Sequence, residues 1–201
     1  SNDGSCFTDH DVHALLKKQG CLQLNAGEDK NEWFKCTAKD VMAAIVALQT
    51  GTANIEKRTQ TFDMRPEQER AVKMTVDYFK QQKIDEPDRA PKVLWNAKMR
   101  FGKTFASYQL AKRMGFKRIL ILTFKPAVES AWRDDLVSHV DFEGWQFISN
   151  KDAKNNSLNI DQEYAHADKS KPIVVFGSFQ DMLGAGDGGG IKAKNEFLHT
   201  V

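Results

Sequence analysis

The chain has 201 residues, of which 41% are hydrophobic and 28% charged, and its net charge is +2. This balance is typical of a globular protein with one full domain and a smaller piece. It excludes a membrane-spanning protein, because no apolar run approaches the ~20 residues that a span requires. The small net charge neither establishes nor excludes a nucleic-acid partner, since a local basic face is sufficient for binding. The odd number of cysteines and the lack of a signal-peptide core predict a reducing, cytoplasmic location.

The three cysteines are Cys6, Cys21 and Cys36, and no two of them form a C-x-x-C pair. Structural zinc ligands usually come in such close pairs. Free buried thiols are therefore the favoured interpretation, and a zinc site that adds His10 and His13 is the alternative.

Residues 1–60 predict a small, mainly helical accessory region, with helices over 11–19 and 37–49. Thr37 can cap the second helix, because Asp40 lies three residues further on and can complete a capping box. The apolar residues of this helix recur at helical spacing and predict a stripe that faces a core. They are Val41, Ile45 and Leu48.

From residue 61 to 201 the pattern changes to alternating helices and strands. We predict helices over 66–82, 104–114 and 127–140. Strands are predicted at 93–95, 119–122, 145–148 and 173–176. A long loop over 150–171 precedes the last strand, and a glycine-rich segment over 184–190 follows it. Strands that alternate with helices predict an α/β fold with a parallel sheet and right-handed crossovers. The chain contains no internal repeat.

The segment 97–104 reads AKMRFGKT and follows the apolar run at 93–95. It fits the phosphate-loop pattern G-x-x-x-x-G-K-[ST], with Ala97 in the first glycine position. Gly102 would let the backbone turn its N–H groups toward a phosphate, Lys103 would reach the β- and γ-phosphates, and Thr104 would ligate Mg²⁺. The alternative is a Gly-Lys turn between a buried strand and a helix.

Three further segments flank this loop in the sequence. They read FDMRPEQ at 62–68, LTFKP at 122–126 and FGSFQ at 176–180. The last two come at the ends of predicted strands, and ligands of open α/β sheets bind beyond the carboxyl ends of the strands. All three segments could therefore face one surface together with the phosphate loop.

With these motifs, residues 62–201 resemble the first RecA-like domain of superfamily 2 helicases of the DEAD/DEAH-box type. The closest resemblance is to the ATP-driven motor subunits of restriction enzymes. It implies that ATP and Mg²⁺ bind at the phosphate loop, with Lys103 and Thr104 as catalytic residues and Ala97, Arg100 and Gly102 in the nucleotide-binding loop. It also implies that Gln68 reads the adenine, whereas the alternative is a solvated residue in the first turn of a helix.

The same resemblance implies contacts to a nucleic-acid backbone, with double-stranded DNA as the expected partner. Lys125 matches the motif that grips this backbone, and Ser178 matches the motif that follows the next strand. The alternatives are an ordinary surface lysine and a serine that completes a strand end. Trp132, in the helix between these motifs, is interpreted as a core residue rather than a base-stacking platform. Phosphate contacts carry no base information, so sequence-independent binding is expected.

The chain departs from the family pattern at several positions. Arg100 stands where these motors usually carry a glycine, and Phe124 replaces a commoner proline. No acidic DEAH-like motif is visible, because Asp181 and Asp187 lie in a glycine-rich context rather than at the end of an apolar strand. The expected partners are therefore the remaining domains of the same chain, a Walker B segment and a second RecA-like domain. The fragment alone is expected to hydrolyse little ATP.

The N-terminal piece resembles the tail of a GIY-YIG-type nuclease domain, in the segments His13-Ala14-Leu15-Leu16 and Asn31-Glu32-Trp33-Phe34. The tyrosine motifs of that family are absent, so no nuclease activity is predicted. His13 and Glu32 are interpreted as a surface histidine and part of a buried turn, and remnants of a metal site are the alternative.

The sequence thus predicts the ATP- and DNA-binding fragment of a restriction-type translocase or helicase. Two other functions remain open at this stage. One is another phosphate-loop phosphotransferase, such as a small-molecule kinase. The other is a non-catalytic nucleic-acid-binding module with a vestigial phosphate loop.

Overall fold

A computed structural model describes residues 6–24, 33–51 and 53–182 of the chain. These residues belong to two compact units. The first unit runs through Phe62 and includes Val137–Glu143, and the second contains Asp63–Leu136 and the chain from Gly144 onward. None of the described helices is both long and apolar enough to cross a membrane.

The first unit combines two helices with a short antiparallel pair of strands. Its elements are α1 (Asp9–Lys18), β1 (Leu22–Gln23), β2 (Phe34–Lys35) and α2 (Ala38–Thr50). The predicted capping box is confirmed, since the Thr37 hydroxyl accepts from the Asp40 N–H and the Asp40 carboxylate accepts from the Thr37 N–H at 2.8 Å. The predicted apolar stripe is confirmed only in part. The fully buried positions of α2 are Ala43, Ala44, Val46 and Ala47, whose small side chains allow close packing, whereas the predicted Val41, Ile45 and Leu48 are half-buried.

Two expectations for the side chains of this unit also need correction. Cys6 is exposed, and Cys21 and Cys36 are half-buried rather than buried, because they lie beside the short strands and not in the core. Trp33 is exposed, so the turn that contains it is not buried as predicted. Glu32 lies outside the described residues, among which no group of three or more His, Cys, Asp or Glu side chains is placed to hold a metal ion.

The second unit contains a three-stranded parallel sheet in the order β3-β5-β4. These strands are β3 (Arg118–Thr123), β4 (Gln146–Ser149) and β5 (Ile173–Ser178). Every residue of β5 is buried, as expected for a central strand that is covered on both faces. The α/β class with a parallel sheet is therefore confirmed.

The helices of this unit are α3 (Pro66–Asp85), α4 (Lys103–Met114), α5 (Glu129–Ser138), α6 (Asn150–Asn155), α7 (Ile160–His166) and α8 (Phe179–Met182). Helices α3 and α4 pack through Val72, Val76 and Ala106. The predicted helix over 127–140 is shorter than expected, because a 3-10 turn at Pro126–Val128 precedes α5.

Two predicted elements of the second unit were wrong. The apolar run at 93–95 forms no strand, and Leu94 is 90% exposed. Its neighbour Trp95 instead turns toward α3, where its indole Nε1 donates to the Thr75 hydroxyl at 2.8 Å. The polar stretch over 150–171 is not a loop, since it contains α6 and α7. Each of these helices has a side-chain cap, from Ser149 and Asn159 respectively.

The glycine-rich segment over 184–190 and Asp187 lie outside the described residues. Trp132 packs as predicted, half-buried with its ring edge-to-face on Tyr108 at a centroid distance of 5.4 Å. The Tyr108 hydroxyl donates to the Trp132 carbonyl at 2.9 Å. Burial raises the pKa of this hydroxyl, so it remains a hydrogen-bond donor at neutral pH.

Candidate functional site

The turn into α4 is built around a left-handed glycine. Gly102 is the N-cap residue of this helix and has a φ of +76°. A Cβ at this position would lie 2.4 Å from the Gln68 Nε2 atom. Backbone conformation and lack of space therefore both require glycine here, and α4 begins directly after it at Lys103.

Arg100 also has a left-handed backbone, with a φ of +61°. This conformation costs a non-glycine residue about 1 kcal/mol or more, because its Cβ crowds the following carbonyl. Arg100 therefore has a backbone conformation that a glycine would adopt more easily.

Two side chains from the start of α3 hold the loop by its carbonyl groups. Arg65 Nη2 donates to the carbonyls of Arg100 at 2.9 Å and Phe101 at 2.6 Å. Gln68 Nε2 donates to the Phe101 carbonyl at 2.7 Å and lies 3.4 Å from that of Gly102. The carbonyls of Arg100 and Phe101 thus face the N-terminus of α3, whereas that of Gly102 accepts from the Ala106 N–H of α4 at 3.0 Å.

The proposed phosphate ligands lie at the N-terminus of α4. Lys103 is exposed, and its ammonium donates to the Lys98 carbonyl at 3.0 Å. No carboxylate among the described residues pairs with Lys103 or with the Arg100 guanidinium. Thr104 is half-buried in the first turn of the helix.

A cavity of about 820 Å³ lies between α3 and the segment 93–101. Its lining includes Ala97 and Arg100 from the loop and Met74 and Tyr78 from α3. Gln68 is only 5% exposed and does not line this cavity. Its Oε1 accepts from the Arg65 N–H at 2.8 Å, so both polar atoms of its amide already contact the protein. An adenine contact would have to share these atoms.

The second group of predicted residues lies at the carboxyl ends of β3 and β5. Thr123 and Ser178 are paired in the parallel ladder, which brings the two strand ends side by side. Lys125 is exposed two residues beyond β3, and its N–H donates to the Thr123 hydroxyl at 3.2 Å. Ser178 is only 1% exposed, so its hydroxyl lies below the surface. Gln180 is exposed beside it and donates to the Phe124 carbonyl at 3.2 Å.

Sequence reasoning missed two features of this region. One is Arg65, whose contacts to the loop span 35 residues of sequence and leave no local pattern. The other is the charge of residues 89–128, which include ten Lys or Arg and no Asp or Glu, in a chain whose net charge is only +2. A count of charge along the chain could have found this segment, and it contains both the phosphate loop and Lys125.

These observations define an α/β protein whose parallel sheet accompanies a Gly-Lys-Thr turn at the start of a helix. No protein-family model matches the chain, and no solved structure matches it. Over 128 residues, the chain is 34% identical to a protein of Mycoplasma pneumoniae described as the C-terminus of a candidate type II restriction enzyme and methyltransferase. The match covers 64% of this chain and 16% of that relative, so the chain spans about one sixth of the relative's length.

The length of the match and the length of the chain together show which residues the similarity must include. Any continuous stretch of 128 residues in a chain of 201 must include residues 74–128. The similarity therefore extends across the phosphate-loop segment, α4 and β3. It relates this chain to a restriction-type protein.

Proposed function

We propose that this chain is the nucleotide- and DNA-binding part of an ATP-dependent translocase or helicase in a restriction-type enzyme, with a RecA-like fold. The observation that carries this proposal is the start of α4. There a left-handed Gly102 leads directly into Lys103, and side chains from α3 hold the preceding carbonyls away from the turn.

This arrangement suits a phosphate for electrostatic reasons. The first N–H groups of a helix have no partner within the helix, and the helix dipole adds partial positive charge at the same place. Helix α4 has no acidic residue in its first turn that could satisfy these groups internally. Lys103 and Arg100 add two full positive charges without carboxylate partners among the described residues.

The residues present fit a magnesium nucleotide. Lys103 and the N–H groups of the turn would bind the β- and γ-phosphates, and the Thr104 hydroxyl would be a ligand of Mg²⁺. Bound Mg²⁺ would neutralise charge that develops on the phosphates during transfer. Ala97 and Arg100 would lie along the nucleotide. Gln68 would contact the adenine through its side-chain amide, which also donates to the loop carbonyls.

DNA binding is supported by charge and by the relative's description. The segment 89–128 contains ten Lys or Arg and no acidic residue. Arg89 and Arg113 pair with Glu86 and Glu69, and exposed cations such as Lys125 would contribute to the basic surface that backbone binding needs. Lys125 lies at the exposed carboxyl end of β3, and Ser178 would contact the backbone beside it after a small local rearrangement. Restriction enzymes and DNA methyltransferases act on double-stranded DNA, which is therefore the proposed partner.

Hydrolysis at a useful rate would need further parts of the protein. A Walker B carboxylate and an arginine from a second RecA-like domain are the expected contributors. We therefore expect the chain alone to bind ATP and hydrolyse it slowly.

A non-catalytic nucleic-acid-binding module is the second candidate. Ala97 and Arg100 occupy two positions of the loop where glycine is the usual residue, which is the observation that favours a vestigial site. In that case the basic segment would bind DNA, and nucleotide would have no effect on it.

The first test compares nucleotide binding by this chain and by Lys103→Ala, measured by calorimetry with ATP and Mg²⁺. Lys80→Ala is the matched control, since it removes an exposed lysine from α3. We expect binding by the wild type and the control and none by Lys103→Ala. Equal affinity in all three would refute the role of Lys103, and no binding in any would favour the non-catalytic module.

The second test measures ATP hydrolysis by the full-length parent protein with and without double-stranded DNA. Strong stimulation that Lys103→Ala abolishes would support the motor. Hydrolysis without stimulation by DNA or RNA would instead favour a small-molecule phosphotransferase.

A further inference from the structure

Arg65 makes hydrogen bonds to the backbone of the phosphate loop, and the roles proposed above for the nucleotide-binding residues do not account for these bonds. It is the N-cap residue of α3, and its guanidinium is half-exposed. Its Nε atom lies 3.1 Å from the Glu67 carboxylate, which fixes one edge of the guanidinium. The other edge faces the phosphate loop, where Nη2 donates to two successive carbonyls.

The direction of these carbonyls determines the direction of the neighbouring N–H groups. In a trans peptide, the C=O of one residue and the N–H of the next point in opposite directions. Because the carbonyls of Arg100 and Phe101 face α3, the N–H groups of Phe101 and Gly102 point away from it. The Gly102 carbonyl accepts from the Ala106 N–H at 3.0 Å, which is the first hydrogen bond of α4, so the Lys103 N–H points out of the N-terminus of that helix.

The N–H groups of Phe101, Gly102 and Lys103 differ in their hydrogen bonding. The Phe101 N–H closes a turn onto the Lys98 carbonyl at 3.3 Å. Those of Gly102 and Lys103 make no hydrogen bond to any described residue. Successive N–H groups on one side of a turn that contains left-handed residues form an anion-binding concavity.

The left-handed backbone of Arg100 needs support from these contacts. An arginine is not held at a φ of +61° by its own preference, so surrounding contacts must hold it there. The contact to its carbonyl comes from Arg65. A glycine at position 100 would adopt this backbone without support.

We propose that Arg65 is a positioning residue that holds the phosphate loop in its anion-binding shape and compensates for Arg100 at a glycine position. This inference rests on the proposed nucleotide-binding function. It adds that Arg65 acts on phosphate affinity through the loop backbone, and that its contribution depends on the residue at position 100.

The test uses the full chain with Arg65→Ala, Arg65→Lys, Arg100→Gly and the double variant Arg65→Ala/Arg100→Gly. The matched control is Arg70→Ala, which removes an exposed arginine from the same helix without changing any contact to the loop. The first readout is the rate of hydrogen exchange at the Phe101 amide in the absence of nucleotide. This amide donates to the Lys98 carbonyl, and that hydrogen bond depends on the shape of the loop. The second readout is affinity for MgADP.

We expect Arg65→Ala to speed exchange at Phe101 and to weaken MgADP binding, each by roughly tenfold, as loss of a charge-assisted hydrogen bond implies. Arg65→Lys should retain part of both effects, and Arg70→Ala should change neither. In the Arg100→Gly background, removal of Arg65 should cost less than about threefold in either readout, since glycine needs no support.

Two results would overturn the proposal: unchanged Phe101 exchange in Arg65→Ala, or the same loss in the wild-type and Arg100→Gly backgrounds. Absence of MgADP binding by the wild type would count against the proposed function alone. The exchange measurement would still decide the role of Arg65 in that case.

Discussion

The phosphate loop and the carboxyl ends of β3 and β5 are held in place by different interactions. The loop has no strand on either side and depends on two α3 side chains that reach its carbonyls. The strand ends depend on a parallel ladder that continues to the pair Thr123 and Ser178. The first region is therefore fixed by a few long-range hydrogen bonds, and the second by regular backbone pairing.

This difference predicts how each region tolerates change. Loss of one partner in the loop leaves a left-handed backbone with few remaining contacts to hold it. Loss of one contact at the strand ends leaves the remaining ladder bonds intact. Single substitutions should therefore affect ligand binding more at the loop than at the strand ends.

The largest expected effect is that of Gly102→Ala. The new Cβ would collide with Gln68 Nε2, which is buried and cannot move without breaking its bond to the loop, and the backbone φ of +76° is strained for alanine. We expect a loss of about 2 to 4 kcal/mol in unfolding free energy and loss of nucleotide binding. Chemical denaturation and calorimetry with MgADP would measure the two effects.

Gly115→Ala is the control for backbone strain alone. Gly115 ends α4 with a φ of +68°, and its Cβ would meet nothing within 4 Å. We expect a cost of about 1 kcal/mol and unchanged nucleotide affinity. Equal effects of the two substitutions would show that the loop is no more constrained than an ordinary helix end.

Gly177→Ala tests the strand ends in the same way. Its Cβ would lie 2.0 Å from Cε and 2.9 Å from Cγ of the buried Met182, so this side chain would have to repack, but the φ of Gly177 is not left-handed and methionine is unbranched and adaptable. We expect a loss of about 1 to 3 kcal/mol in stability without loss of nucleotide binding. The double variant with Met182→Ala should lose less than the sum of the two single variants in a denaturation series. A loss of nucleotide affinity as large as that of Gly102→Ala would contradict the comparison.

The strand ends and the phosphate loop also differ in how well they could be predicted from the sequence. The strand β5 was predicted because a strand covered on both faces reads as a continuous apolar run. The strand β3 has the same kind of apolar run, although Leu120 and Leu122 on it are exposed rather than buried. The apolar run at 93–95 failed, because three residues do not reveal whether the chain will pair in a sheet or turn one side chain toward a helix. The helices α6 and α7 were missed although Ser149 and Asn159 are ordinary N-cap residues, because the polarity of the segment was read as a loop.

The loop was predictable only where local chemistry determines it. Gly102 and Lys103 were placed correctly at the start of a helix, since a tight turn with positive φ favours glycine. The role of Arg65 was not predictable, because its partners lie 35 and 36 residues away and are backbone atoms that carry no sequence signal.

A smaller effect is expected from Lys125→Ala, at the end of β3. The substitution removes one exposed cation but no ladder bond, because only backbone atoms of Lys125 contact Thr123. We expect DNA affinity to fall by about the same factor for every sequence, and the slope of log affinity against log salt to decrease by about 1. Lys80→Ala provides the control for loss of a surface charge. A loss confined to particular DNA sequences would contradict a backbone contact.

The smallest effect is expected from Glu69→Gln, which tests whether the loop needs α3 and α4 to be tied together. Arg113 of α4 donates two hydrogen bonds to the Glu69 carboxylate, at 2.6 and 2.5 Å, and these bonds hold the pKa of Glu69 below its usual value. Because the pKa is lowered in the folded state, the pair stabilises the protein above the ordinary pKa of about 4.3 and loses this contribution as the pH falls through the folded value. Both side chains are partly exposed, so the melting temperature should fall by only a few degrees at pH 7, and the difference should disappear at pH values below the lowered pKa of Glu69. Asp134→Asn, an exposed change on α5, is the control for loss of a surface carboxylate. If Glu69→Gln left MgADP affinity intact while Arg65→Ala reduced it, the helix pairing would be dispensable for the loop, and its shape would depend on the direct contacts to its carbonyls.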